Sequence, residues 1–192
     1  TDPQKEYVPF ASVSEICAQN SITCIAPTKA FNIAGMQTAA VVVPNDTLRH
    51  KVWRGLNTDE VAEPNVFAAI APIAAFDRGR EWLEELREYL WENRKFAEDF
   101  IREEIPELRT VSADATYLLW IDCNALPGDL SELAEFIRKE SGLYVCDGRE
   151  YGNGYGFLRM NLACRRELLK EGLERLKRSI HSYRKGISNG II

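Results

Sequence analysis

The chain has 192 residues and carries 24 Lys and Arg against 29 Asp and Glu, so its net charge at neutral pH is −5. An acidic chain lacks the basic surface that broad nucleic-acid binding needs, and we expect no nucleic-acid partner. The longest apolar run, residues 38–44, is far shorter than the roughly 20 residues that span a bilayer, so we expect no membrane segment.

The cysteine and histidine content argues against a zinc protein and against a hydrolase with a Ser-His-Asp triad. Five cysteines without metal-ligand spacing and two histidines leave little material for a zinc site or a Ser-His-Asp triad. Each cysteine lies in or beside an apolar stretch, where a free thiol behaves as a small hydrophobic side chain. No basic and apolar leader is visible at the start. The interpretation is a reduced, cytoplasmic protein without a metal.

The apolar pattern of residues 1–78 predicts short strands and small apolar helices of an α/β protein. An unbroken apolar run such as residues 39–43 is typical of a strand covered on both faces, as in a central sheet. The predicted elements are a short helix near residues 13–17, strands over 21–26 and 39–43, a turn over 27–32, a helix over 48–56, a loop over 57–64 and a buried helix over 65–76.

Residues 79–192 predict an α+β domain that is entered by a long amphipathic helix over residues 80–105. The last helix is predicted to bury Leu168, Leu169, Leu173, Leu176 and Ile180. Between these helices the pattern predicts strands over residues 116–122, 143–146 and 157–162, and a helix that Asp129 caps and Gly142 ends.

Lys29 is the first candidate for chemistry. It lies in the predicted turn between two apolar strands, with no acidic residue within twelve positions on either side. Such a lysine is expected to be partly desolvated, which favours a neutral amine that can react with a carbonyl. The alternative, which position alone favours, is a solvated lysine in a turn.

The segment ITCIAPTKAFNIAGMQ, residues 22–37, resembles the cofactor-lysine segment of fold-type-I pyridoxal-phosphate enzymes. Within them it is similar to the cystathionine β-lyases, or C–S lyases, of the MalY/PatB type. The similarity continues in order along nearly the whole chain, through PNVF (64–67), EWL (81–83), TYLLWIDC (116–123) and GFLRMNLAC (156–164).

The resemblance implies roles for three residues. Lys29 is expected to bind pyridoxal phosphate covalently and to move the substrate's Cα proton. Thr28 is expected to reach the cofactor phosphate, with a local hydrogen bond in the turn as its alternative. Arg159 shares a strand face with Phe157 and Asn161 and is expected to bind the substrate's α-carboxylate, with a structural ion pair as the alternative.

The chain departs from the family pattern in two informative ways. Many aminotransferases of this fold carry a phosphate-binding arginine eight residues after the lysine, where this chain has Gln37, which favours the lyase. The resemblance implies that the family's other cofactor-binding residues come before the lysine, and the 28 residues that precede Lys29 are too few to contain them. We therefore expect the C-terminal part of a fold-type-I enzyme, with residues 1–78 from the large domain and 79–192 as the small domain.

The function implied by the resemblance is cleavage of a carbon–sulfur bond in cystathionine, cysteine or a related amino acid, giving pyruvate, ammonia and a thiol. The alternatives are an aminotransferase, or a non-catalytic or regulatory fragment. The resemblance also implies a homodimer for the full-length protein, in which Asn65 approaches the partner's site. The isolated chain is expected to be inactive and to expose apolar surface.

Overall fold

A computed structural model describes residues 2–61 and 63–189. The parts of the predicted loop and domains that fall on residues 1, 62 and 190–192 lie outside these ranges. None of the helices in these two ranges combines the length and the hydropathy of a membrane-spanning segment. The chain divides into two compact units, residues 4–86 and residues 87–189 with residues 2–3. The division after residue 78 stays a prediction.

Residues 4–86 form short helices and a two-stranded antiparallel sheet. The strands pair Thr23 with Val42 and Ile25 with Ala40. The elements are α1 (Glu15–Gln19), β1 (Thr23–Ile25), α2 (Pro27–Ala30), β2 (Ala40–Val42), α3 (Asp46–Thr58), α4 (Ile70–Arg78) and the start of α5 (Arg80–Glu104), with 3-10 turns at Phe10–Ser12 and Ala34–Met36. The positions of both predicted strands are therefore confirmed at their centres.

Two predictions of burial in this unit are wrong. The second strand is not covered on both faces, because Val41 and Val42 expose 39% and 46% of their surface. The helix predicted to be buried over residues 65–76 exposes Ile70 and Ile73 in α4 by 64% and 60%. Apolar composition identifies side chains that favour burial, but another segment of secondary structure has to pack against them to bury them.

The second unit contains a four-stranded antiparallel sheet in the order β3-β4-β6-β5. After α5, its elements are β3 (Arg109–Thr110), β4 (Leu118–Asp122), a 3-10 turn (Leu130–Glu132), α6 (Leu133–Ser141), β5 (Cys146–Asp147), a 3-10 turn (Gly148–Tyr151), β6 (Phe157–Asn161) and α7 (Arg166–Ser188). The predicted alternation of β6 is confirmed, since Leu158 and Met160 are buried and Phe157 and Arg159 are half-buried.

One continuous core fills this unit. The buried face of the sheet contributes Leu119, Ile121 and Leu158, each 2% exposed or less. The helices cover this face with one apolar stripe each, for which Ile101 of α5 and Ile137 of α6 are examples. Asp129 caps the 3-10 turn before α6, and Gly142 ends α6 in the left-handed conformation, as predicted.

The stripe of α7 is predicted correctly at four of its five positions. Leu169, Leu173, Leu176 and Ile180 are all buried, whereas Leu168 is 56% exposed. Leu168 precedes Leu169 by one residue, which rotates it by about 100° away from a stripe whose members recur every three or four residues.

Asn93 joins helix α5 to the end of strand β6. Its side chain is fully buried, and Nδ2 donates hydrogen bonds to the carbonyl oxygens of Leu162 and Cys164 at 3.0 and 2.9 Å. Its Oδ1 accepts a hydrogen bond from Nε of Arg166 at 2.8 Å. Asn93 therefore bonds to three polar groups at once, one of which, the Leu162 carbonyl, also accepts a hydrogen bond from the N–H of Cys164 at 2.9 Å.

We expect Asn93→Ala to lower the free energy of unfolding by about 2–4 kcal/mol, because it removes three hydrogen bonds and leaves the Cys164 carbonyl without its side-chain donor. Urea unfolding followed by far-ultraviolet circular dichroism measures this change. Asn189→Ala, at the exposed end of α7, serves as the matched control and should change stability by less than about 0.5 kcal/mol. Equal effects of the two substitutions would contradict the expected role of Asn93.

Candidate active site

Lys29 lies on the short helix α2, directly after strand β1. Pro27 occupies the first turn of this helix, where its fixed φ angle suits a helix start. The helix ends at Ala30. The N–H of the next residue, Phe31, donates to the carbonyl of Pro27 at 2.9 Å, and Asn32 follows in the left-handed region with φ of 53°. The predicted turn over residues 27–32 is therefore a single helical turn, because Pro27 starts a helix.

The polar groups of Thr28 and Lys29 are available to a ligand. Lys29 is exposed, so the expected partial desolvation is wrong for this chain. Within residues 2–61 and 63–189, the Lys29 amine forms no ion pair and the Thr28 hydroxyl no hydrogen bond. The local hydrogen bond from Ile33 N–H, 3.0 Å long, goes to the backbone carbonyl of Thr28 and leaves the hydroxyl free.

Aromatic packing fixes the end of this helix within its unit. The Phe31 ring contacts Phe76 edge-on at 5.8 Å between centroids and stacks on Trp82 at 6.1 Å. A Cβ atom at Gly79 would lie 2.6 Å from the Phe31 ring and 2.4 Å from the Ala75 carbonyl oxygen. The chain thus needs glycine at position 79 to let Phe31 hold the Lys29 turn.

Gln37 and Asn65, two further residues of interest, have local roles in this unit. Gln37 ends the 3-10 turn in the left-handed region, with φ of 49°. Asn65 donates from Nδ2 to the carbonyl of Met36 at 2.6 Å, and its Oδ1 accepts from the N–H of Phe67 at 2.9 Å. Asn65 is exposed and links the last residue of the 3-10 turn, Met36, to the loop that precedes α4.

Arg159 lies in the other unit, on strand β6 and on the sheet face opposite the core. The register pairs it with Trp120 on β4 and with Cys146 on β5. Directly paired residues point to the same face of an antiparallel sheet, so these side chains flank Arg159 on both sides. The half-buried Arg159 is therefore held between two neighbouring strands.

The Arg159 guanidinium has unusual partners for a half-buried cation. Its Nη2 donates to the thiol sulfur of Cys146 at 3.4 Å, and its Cζ lies 4.1 Å from the centroid of the Tyr151 ring. No carboxylate of the described part of the chain lies within ion-pair distance of it. The structural ion pair considered for Arg159 is therefore not formed there, and its other N–H groups remain available to a ligand.

Tyr151 and Cys146 contact Arg159, and inspection of the sequence did not identify either of them. Their proximity to Arg159 depends on the cross-strand register and on the return of the loop that follows β5. The glycines at positions 148 and 154 are the sequence signal for the path of this loop. Their backbones approach so closely that a Cβ on either would lie within 2.3 Å of the other's carbonyl oxygen.

The loop that carries Tyr151 is held at both ends by carboxylates. The Arg149 side chain donates to both oxygens of Asp147, and this contact is the main reason why the pKa of Asp147 lies below its usual range. At the other end, Tyr155 donates its hydroxyl to Asp129 at 3.0 Å. Hydrogen bonds from Ser131 and then from Tyr155 lower the pKa of Asp129.

Trp120 and Cys146 both contact Tyr151. Trp120 meets the Tyr151 ring edge-on at 5.6 Å between centroids. The pKa of the Tyr151 phenol is raised, first by its contact with the Cys146 thiol and then by burial. The hydroxyl therefore stays protonated at neutral pH, and the ring faces Arg159 as a neutral aromatic surface.

The five cysteines are all free, and their environments differ. Burial raises the pKa of the Cys123 thiol to about 12, and the charge of Asp122 adds to this effect. Cys24 on β1 is exposed. The expected hydrophobic role of the cysteines thus holds for Cys123 but is wrong for Cys24, whose strand face is uncovered.

We expect iodoacetamide at pH 8 to modify Cys24 in the folded chain and to leave Cys123 unmodified. With a pKa of about 12, roughly one Cys123 thiol in ten thousand is ionised at this pH, and the thiolate is the reactive form. Mass spectrometry of the peptides measures the modification, and Cys24→Ser identifies its signal. Both thiols should react in urea, and rapid labelling of Cys123 without urea would contradict the burial described.

The residues present fit part of a pyridoxal-phosphate site. Lys29 offers a primary amine and Thr28 a hydroxyl, and neither of these two groups has a partner among the described residues. Arg159 offers planar N–H groups to a carboxylate. Lys29 and Thr28 lie in one unit and Arg159 in the other.

Comparison with known proteins identifies the class. No family model matches the chain. It is 37% identical to the cystathionine beta-lyase PatB of Bacillus subtilis over 91% of its length, and 32% identical to the protein MalY of Escherichia coli over 82%. These alignments cover 46% and 41% of the two relatives. The chain thus spans a little under half the length of these relatives.

A solved structure agrees with the sequence comparison. Cystalysin from Treponema denticola, which contains a pyridoxal 5'-phosphate cofactor, superposes with a TM-score of 0.84 at 29% identity over 94% of this chain and 46% of its own. Two curated aminotransferases, from Aquifex aeolicus and Bacillus subtilis, match at 26% and 22% identity, and a solved structure of a putative aminotransferase from Clostridium difficile matches at 36% with a TM-score of 0.88. The fold is thus that of a part of a fold-type-I pyridoxal-phosphate enzyme. The homologues of the chain are cystathionine beta-lyases of the PatB/MalY type, each of which it covers by less than half.

Proposed function

We propose that the chain is the C-terminal part of a pyridoxal-phosphate-dependent C–S β-lyase, with residues 1–78 from the large domain and residues 79–192 as the small domain. Its substrate is cystathionine, cysteine or a related amino acid. The observation that carries the proposal is that Lys29 and Arg159 both lack a carboxylate partner among the described residues, which leaves an amine and a guanidinium for the two roles that this reaction needs.

Lys29 and Thr28 are the proposed cofactor-binding residues. The Lys29 amine would hold the cofactor by condensing with its carbonyl carbon, with loss of water, and the Thr28 hydroxyl would donate a hydrogen bond to its phosphate. When bound, pyridoxal phosphate withdraws electrons from the substrate's Cα. The Lys29 amine, when free and neutral, would accept the substrate's Cα proton and pass it on, so one residue would supply both covalent binding and acid–base catalysis.

Arg159 is the proposed substrate-binding residue. Its planar guanidinium binds the α-carboxylate with two parallel hydrogen bonds, which orients the Cα–H bond for removal. Loss of this proton and cleavage of the Cβ–S bond release a thiolate, which takes up a proton as the thiol. Water then converts the remaining three-carbon unit into pyruvate and ammonia, so substrate plus water balances pyruvate, ammonia and thiol.

The test of this proposal uses the complete protein that carries the chain. After pyridoxal phosphate is added, a visible absorbance band should appear, and borohydride followed by peptide mapping should place the label on Lys29. Lys51, an exposed lysine on α3 of the same unit, is the internal control and should stay unlabelled. No band, or a label spread over other lysines, would support the non-catalytic alternative.

Product analysis separates the lyase from the aminotransferase. With cystathionine, a lyase forms pyruvate and ammonia without a second substrate, whereas an aminotransferase requires a 2-oxo acid and forms the corresponding amino acid. Gln37, which stands where many aminotransferases are expected to have a phosphate-binding arginine, favours the lyase. Product formation that depends on 2-oxoglutarate would favour the aminotransferase.

A homodimer in the cytoplasm completes the proposal. The first unit exposes several large apolar side chains, including Val66 at 81% and Phe67 at 63%, which suits a surface covered by more chain or by a second subunit. The same surface predicts that the isolated chain is inactive and associates in solution. Sedimentation of the complete protein tests for the dimer, and a monomer at micromolar concentration would contradict it. Five free cysteines suit a reducing compartment.

A further inference from the structure

Arg159 has a defined orientation although no carboxylate among the described residues pairs with it. An arginine side chain has many rotamers, and fixing it costs conformational entropy. In this protein one N–H group is engaged by Cys146, at 3.4 Å from its sulfur, and one face of the guanidinium lies over the Tyr151 ring at 4.1 Å. These contacts leave four of its five N–H groups without a partner among the described residues.

Each of the two contacts is itself supported by the fold. Cys146 is fixed by its strand pairing with Arg159. Tyr151 ends the 3-10 turn Gly148–Tyr151 and meets Trp120 edge-on, with the two ring planes at 87°. The close backbone approach of Gly148 and Gly154 fixes the path of this loop. The Tyr151 ring thus has a position that does not depend on Arg159.

We propose that Tyr151 and Cys146 are positioning residues, which hold the Arg159 guanidinium so that its unpaired N–H groups bind the substrate's α-carboxylate. This inference rests on the proposed function, in which Arg159 binds that carboxylate. A pre-oriented guanidinium loses less freedom on binding, so the two residues increase the affinity for carboxylate-bearing ligands without touching the reacting atoms.

The test measures recognition of the carboxylate separately from turnover. Aminooxyacetate and methoxyamine both react with bound pyridoxal phosphate through an oxyamine group, but only aminooxyacetate carries a carboxylate. The ratio of their second-order rate constants, followed by visible absorbance in the loaded complete protein, reports how well the carboxylate is bound. Wild-type protein should favour aminooxyacetate, and Arg159→Gln should lose that preference.

Tyr151→Leu should lower this preference about fivefold, which is within the range of a cation–π contact. Tyr151→Phe keeps the ring and should stay within about twofold of wild type. Cys146→Ala removes one hydrogen-bond acceptor and should lower the ratio about two- to threefold, which Cys146→Ser should restore. The rate with methoxyamine should be the same in all four variants.

Tyr144→Leu is the matched control. Tyr144 is an exposed tyrosine in the same unit, and the centroid of its ring lies 5.5 Å from the Cζ of another arginine, Arg138. It should leave the ratio unchanged. Tyr151 is 44% exposed, so its replacement should preserve the fold, and thermal unfolding of each variant checks this. In steady-state kinetics, Tyr151→Leu should raise KM for the sulfur amino acid about fivefold and change kcat less than twofold.

Two outcomes overturn the proposal, and they are distinguishable. If wild-type protein prefers aminooxyacetate and Arg159→Gln removes the preference, but Tyr151→Leu and Cys146→Ala retain it, the positioning role is wrong and the proposed function stands. If wild-type protein shows no preference, Arg159 does not bind the carboxylate, and the positioning role fails together with that part of the proposed function.

Discussion

Replacing Lys29 by alanine should lower kcat/KM of the complete protein by at least about a thousandfold, because this residue is proposed both to hold the cofactor and to move the Cα proton. Lys29→Arg should lose as much, since a guanidinium stays protonated and cannot take part in either step. Pyruvate formation from cystathionine measures the effect.

Lys51→Ala is the matched control for Lys29, because Lys51 is an exposed lysine of the same unit. It should keep full activity and the visible absorbance band. The Lys29 variants should lose the band at the wavelength of the lysine-bound cofactor while keeping the far-ultraviolet circular dichroism of the folded protein. A Lys29→Ala protein that retains a tenth of the wild-type activity would exclude the proposed role.

Arg159→Gln should lower kcat/KM for amino-acid substrates by about a hundredfold, because two charge-assisted hydrogen bonds to the carboxylate are lost. Arg159→Lys keeps the charge but cannot form the paired contact, so a loss of about tenfold is expected. Steady-state kinetics with cystathionine tests whether kcat/KM falls in the order wild type, Arg159→Lys, Arg159→Gln.

Arg109→Gln provides the comparison for Arg159, since Arg109 is an exposed arginine on β3 of the same sheet. It should retain wild-type kinetics. The absorbance band should persist in Arg159→Gln, because the cofactor is proposed to be held by Lys29 and Thr28. If the glutamine variant keeps kcat/KM within twofold of wild type, the carboxylate is bound elsewhere.

Elements whose pattern is local could be predicted from the sequence. Helix α5 and strand β4 have their apolar residues at helical and alternating spacing, and the structure confirms both. Helix α2 escaped prediction because four residues hold too little periodicity, and only Pro27 at its start indicated a helix.

Burial could not be predicted where it depends on a second layer. Val41 and Ile70 have the composition of core residues, yet both are exposed in this chain. Composition indicates that a residue prefers an apolar environment, but another segment must supply that environment. The sequence therefore predicted the strand and the helix but not their exposure.

The surroundings of Arg159 depended on contacts that no sequence window contains. The alternation of β6 predicted that Arg159 shares a face with Phe157 and Asn161, and the structure shows that this face lies opposite the core. Its neighbours Cys146 and Tyr151 come from a different strand and from the loop after it, and their approach depends on register and on the meeting of two glycine backbones. The candidate residue was therefore predicted, and its partners were not.

Because Trp120 contacts Tyr151 edge-to-face, it is placed to act as an intrinsic fluorescent reporter of ligand binding at Arg159. Trp120 is half-buried, and its indole lies 5.6 Å from the phenol ring that covers Arg159. Indole emission responds to small changes in the position of a neighbouring ring and of a nearby charge. A carboxylate that binds to Arg159 would therefore change the fluorescence of Trp120, so ligand binding could be followed without a label or a coupled assay.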